Sequence, residues 1–89
     1  MTFDYILSDE LEDNFKRVSK KDKQLAVAVG KKIDQIINLD KNAIEHFKNL
    51  KGDMKEYKRV HVGSFVLIFN VQGNLIVFDK FLYHDNIYK

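Results

Sequence analysis

Apolar residues recur at helical spacing in the first half of the chain and at strand spacing in the second, with Gly52 at the break. Phe3-Asp4-Tyr5-Ile6-Leu7 reads as a short strand. Leu11, Phe15 and Val18 then fall at i, i+4 and i+7, one apolar stripe of a helix. Ser8 is placed to cap it, and Asp9, Glu10 and Glu12 suit the positive end of its dipole. Ser19 with Asp22 three residues on resembles a capping box and predicts a restart as a second helix. There Leu25, Val29, Ile33, Ile36 and Ile37 form the face to be buried. Lys20, Lys21, Lys31, Lys32 and Asp34 stay in water, and Gly30 interrupts the pattern. Neither helix can bury its stripe alone, and the link around Ser19 is short, so the two predict an antiparallel hairpin. Asp40 is expected to cap a short third helix with Ile44, Phe47 and Leu50 facing inward.

Beyond Gly52 the pattern predicts three antiparallel strands, 57–62, 65–71 and 75–81, joined by turns at Gly63-Ser64 and Gln72-Gly73-Asn74. In the first, Tyr57, Arg59 and His61 point one way and Lys58, Val60 and Val62 the other. Phe65, Leu67, Phe69 and Val71 are the heavier set of the next strand and should be buried. Val66, Ile68 and Asn70 are then expected on an open face beside Arg59 and His61. The order strand, helix, helix, short helix, strand, strand, strand is that of an α+β fold, an N-terminal strand and helical hairpin packed on a C-terminal antiparallel sheet.

Composition narrows this further. At 89 residues the chain forms one domain, because a chain this small buries only roughly 60–65% of its unfolded surface. A hydrophobic share of 45% with 7 Phe and 4 Tyr is enough for a packed core, which argues against disorder. The absence of cysteine excludes disulfides and thiolate metal sites and suits a reducing compartment. No apolar run reaches membrane-spanning length, and the start lacks a signal-peptide pattern, so a soluble, cytoplasmic protein is expected. No Asp, His and Glu spacing makes a metal site, and no cofactor is expected. The net charge of +2 is mild, but its placement is uneven. Lys48, Lys51, Lys55, Lys58 and Arg59 crowd the approach to the sheet, diluted by Glu45, Asp53 and Glu56. On its own such a cluster is as well read as a solvated face, and Arg59 as a surface ion pair with Glu56 or Asp79.

The element order, the run Lys58-Arg59-Val60-His61-Val62-Gly63-Ser64-Phe65-Val66-Leu67-Ile68-Phe69 and the closing Ile87-Tyr88 resemble the RelE/ParE superfamily of bacterial and archaeal toxins. In layout the resemblance covers the whole chain, and in detail about 40 C-terminal residues. It implies a toxin of a type II toxin–antitoxin system, held inactive by an antitoxin protein. The RelE-like branch implies a ribosome-dependent mRNA endonuclease that stops translation. Arg59 falls on a basic position of the first hairpin strand, His61 on a neighbouring position commonly Arg, and Tyr88 on the closing aromatic residue. His84 lies in the tail segment where the family has basic or His residues. Val66 stands where the family usually carries the Arg that stabilises charge on the scissile phosphate, which bears directly on nuclease activity.

Metal-independent cleavage through the 2′-hydroxyl needs a base, a cation for the phosphate and an acid for the leaving 5′ oxygen. The resemblance implies His84 as acid or base, since an unperturbed histidine titrates near neutrality. It implies Arg59 as the phosphate clamp and Tyr88 as a base-stacking or orienting group. His61, Lys51 and Lys58 would support RNA binding. Two alternatives stand beside this: a ParE-like inhibitor of DNA gyrase, and a non-catalytic toxin-fold protein that only binds its antitoxin. In each, an antitoxin is expected to lay an amphipathic helix on the hairpin or the sheet, with Val66 and Ile68 as candidate contacts.

Overall fold

The structure is a computed structural model and describes residues 3–83, with Met54 described by its backbone alone. Strand β1 (Asp4–Leu7) leads into helices α1 (Asp9–Lys21) and α2 (Lys23–Ile37). A single turn of helix, α3 (Lys41–Ile44), and a 3-10 turn (Gly52–Met54) follow. Strands β2 (Lys58–Val62), β3 (Phe65–Gln72) and β4 (Leu75–Tyr83) complete the chain. The strands form one sheet in the order β1-β4-β3-β2. β1 runs parallel to β4, while β2, β3 and β4 are mutually antiparallel. The expected three-stranded meander is therefore present, and the N-terminal strand adds to it as a parallel edge.

The helix starts follow the side-chain chemistry, with one correction. The Ser8 hydroxyl accepts from the Leu11 N–H at 3.0 Å and opens α1. Ser19 does not open α2. Its hydroxyl donates to the Lys16 carbonyl, 2.9 Å away, and α1 runs on through it. The break is Asp22, extended at φ −144°, whose carboxylate accepts from the Leu25 N–H at 3.0 Å. A carboxylate at a helix N-terminus satisfies an orphan donor and meets the positive dipole end, so Asp22 takes the capping role and the link shrinks to that residue. Asp40 caps α3 as expected, accepting from Ala43 N–H at 2.7 Å.

Both hairpins close through two-residue turns, Gly63-Ser64 and Gly73-Asn74. Each Gly has φ near +61° and neither following residue has positive φ, the pattern of a II′ turn whose twist matches antiparallel strands. One face of the sheet carries the core. Phe69 and Phe78 pack with Leu67, Ile76 and Phe81 against Leu11, Val29 and Ile36 from the two helices. Phe47 closes the β2 side, edge-on to Phe69 at 5.6 Å.

The expected open apolar patch at Val66 and Ile68 is absent: they are 0% and 2% exposed. β3 lies inside the sheet, and its register sets Val66 between His61 and Leu82, and Ile68 between Arg59 and Lys80. A strand inside a sheet has side chains of two neighbouring strands on either side of its own, which alternation along one strand cannot reveal. Among the described residues the exposed large apolar side chains are instead Tyr5 and Ile6 on the β1 edge, Val27 on α2 and Tyr83 at the end of β4.

Candidate functional site

Arg59 and His61 project from the sheet face opposite the helices, two residues apart on β2 and so about 7 Å apart along the strand. Arg59 is half-buried and His61 is exposed. The β2–β3 register sets Arg59 opposite Ile68, and the β3–β4 register sets Ile68 opposite Lys80. Two cationic side chains therefore stand on one row, about 10 Å apart across the intervening strand. Asn70 follows Ile68 on the same face, and among the described residues its Oδ1 is buried without a hydrogen-bond partner.

Lys80 reaches this face because of a β-bulge. The β3–β4 register shifts between Ile68 and Phe69, so that Ile68 pairs with Lys80 while Phe69 pairs with Phe78, and Asp79 is the extra residue. Strict alternation would send Phe78 and Lys80 to the same side. With the bulge, Phe78 and Phe81 both enter the core and Lys80 turns outward. The Ser8 hydroxyl donates to the Asp79 carbonyl while accepting from Leu11, and so ties the start of α1 to the bulge. Lys80 was missed in the sequence. Its signal was there in Phe78 and Phe81, two core-sized rings three apart within a period-2 strand.

The other expected site residues are placed differently. Lys58 points to the helical face opposite Phe69, and its ammonium donates to Asn49 Oδ1 at 2.9 Å and to the Phe47 carbonyl at 3.4 Å. It is not brought together with Arg59 and His61. Asn49 also donates to the Lys55 carbonyl at 2.7 Å and bridges Lys58, so this network closes the loop that carries Lys51. Lys51 is exposed and precedes the 3-10 turn. His84 and Tyr88 lie outside the described residues. Among the described residues no group of three His, Asp or Glu side chains gathers as a metal site.

No family model matches the chain. A protein of Methanocaldococcus jannaschii that carries the name toxin RelE4 is 39% identical over 82 residues, covering 89% of this chain and 83% of that one. The chain belongs to the RelE-like toxin family. Its fold recurs in solved toxin structures. The Escherichia coli DinJ–YafQ toxin–antitoxin complex matches with a TM-score of 0.73, 21% identity and 100% of both chains covered. The YoeB dimer of Staphylococcus aureus matches with a TM-score of 0.75 and 18% identity, covering 94% of this chain and 99% of that one. At these identities the two structures speak for the fold.

Proposed function

We propose that the chain is the toxin of a type II toxin–antitoxin system and cleaves mRNA on the ribosome. The observation that carries this reading is the outward row of Arg59 and Lys80, with His61 beside it, on a sheet face that no described helix covers. Cations spaced across a strand suit a polyanionic backbone. A guanidinium grips two phosphate oxygens in its planar fork, and an ammonium adds a point charge. In the reaction the RNA 2′-oxygen attacks the adjacent phosphorus, the P–O5′ bond breaks, and a 2′,3′-cyclic phosphate and a 5′-hydroxyl result. Arg59 and Lys80 meet the charge that grows on the non-bridging oxygens. His84 moves the proton to or from an attacking or leaving oxygen. Tyr88 stacks on or orients the base. The site works where ribosomes are, in the cytoplasm, and no described helix is long and apolar enough to cross a membrane.

The partner class follows from the family. The DinJ–YafQ and YoeB–YefM structures are toxin–antitoxin complexes, and a cognate antitoxin is the expected partner here. A second reading, inhibition of DNA gyrase without RNA chemistry, is favoured by one feature: Val66, which is buried, stands where the resemblance implies the Arg that the family's nucleases usually carry. Induced expression separates the two. The nuclease reading expects translation to stop and cellular mRNA to carry new 5′ ends within coding regions. Intact transcripts with ongoing translation and a DNA-damage response would replace it with the gyrase reading.

A further inference from the structure

A groove of about 410 Å³ opens between the second half of α1 and the ends of β3 and β4, on the helical side of the sheet. Three rings step out of the core along it. Phe81 is buried, Phe65 stacks on it at 4.7 Å and 12°, and Tyr83 leans on Phe65 at 4.9 Å and 57°. Tyr83 is 50% exposed, which leaves a face of the outermost ring to solvent. The opposite wall is cationic. The Arg17 guanidinium donates to Asn14 Oδ1, and Asn14 in turn donates to the Phe81 carbonyl at 3.3 Å. That chain of bonds holds the guanidinium at the groove and, among the described residues, takes up only part of its five donors. Lys21 lies one helical turn further along the same wall.

The bland account of these cations is dipole compensation: Lys20 and Lys21 occupy the last turn of α1 and acidic residues its first. Dipole compensation does not explain why Arg17 bonds to Asn14, the side chain that is itself tied to a backbone carbonyl of β4, nor why a tyrosine is left half open beside it. An aromatic step facing cations is the arrangement that holds single-stranded nucleic acid, base on ring and phosphate on cation. The groove is at the small end of the range for ligand sites, which suits a nucleotide better than the length of a peptide helix. Its position also fits. Phe65 pairs with Tyr83, and the next ladder step, Val66 with Leu82, lies beside His61 on the outer face.

We propose that this groove is an RNA subsite that holds an unpaired nucleotide next to those on the Arg59 face, its base against Tyr83 and Phe65 and its phosphate on Arg17 and Lys21. The inference rests on the RNA reading above and adds a second contact region, round the end of the sheet from the first.

The test is equilibrium binding of a fluorescent oligouridylate, roughly ten nucleotides long, to the purified full chain without ribosomes. Tyr83→Ala is expected to weaken binding about tenfold, while Tyr83→Phe, which keeps the ring, stays within about twofold of wild type. Arg17→Gln should lower the slope of log affinity against log salt by about one unit. Circular dichroism confirms that each variant is folded. Wild-type chain that does not bind at low salt, or folded variants that bind as wild type does, would overturn the proposal. So would variants that keep RNA affinity but lose a glutamate-rich amphipathic peptide, since the groove would then be a protein site. Failure of the nuclease reading is distinguishable: a wild-type chain that binds RNA through Tyr83 and Arg17 yet cuts none on the ribosome leaves the groove standing and removes the cleavage.

Discussion

Arg59 and Lys80 stand on either side of Ile68 on the outer face of the sheet, although they belong to strands that do not touch. The bulge at Asp79 makes this possible by reversing the direction of every side chain after it. The consequence for activity is direct. If Lys80 shares the phosphate with Arg59, Lys80→Gln lowers mRNA cleavage on the order of 10–100-fold, and Lys80→Arg restores most of it. Cleavage of ribosome-bound mRNA by purified variants measures this. Wild-type rates in Lys80→Gln would remove Lys80 from the site.

Ser8 serves two elements at once, capping α1 and donating to the bulge carbonyl of Asp79. Ser8→Ala loses both bonds and should cost about 1–3 kcal/mol of stability, more than a cap alone. Urea denaturation gives the value. Ser8→Gly separates the two roles, because glycine is a tolerable cap but has no hydroxyl to offer Asp79. A loss of only a few tenths of a kcal/mol in Ser8→Gly would mean that the Asp79 bond contributes nothing.

Ile68 tests the packing of the outer face. A side chain in open solvent could be cut back with little effect, whereas a buried one leaves a cavity. Ile68→Ala is expected to destabilise by about 2–5 kcal/mol, read as a lower denaturation midpoint with an unchanged slope. A change under about 0.5 kcal/mol is the surface value and would contradict the burial.

Gly30 lies exposed within α2, and a methyl group there meets open space. Gly30→Ala therefore adds helix propensity without a clash and should stabilise by about 0.5–1 kcal/mol. Thermal unfolding shows the sign.

Much of this was legible in the sequence because it rests on local patterns. The period change at Gly52, the caps at Ser8 and Asp40 and the two Gly turns each follow from a few adjacent residues. Asp22 shows where a local pattern is ambiguous: Ser19 and Asp22 both suit the cap, and only the path of the helix decides between them. What the sequence left open depends on neighbours far along the chain. Alternation puts Val66 and Ile68 beside Arg59 and His61, but their burial depends on Lys80 and Leu82 arriving from β4. Alternation already turns Lys58 to the face opposite Arg59, but that Asn49 and the Phe47 carbonyl bind its ammonium there depends on the loop folding back. The parallel pairing of β1 with β4 has no sequence signal beyond its apolar residues.

The most direct test of the central claim is mapping of mRNA 5′ ends after incubation of the purified chain with programmed ribosomes, comparing wild type with Arg59→Ala. The account predicts discrete cuts in ribosome-bound mRNA by wild type, reduced on the order of 10²–10³-fold in Arg59→Ala with the fold intact. Equal cutting by the two proteins, or no cutting by either, would contradict it.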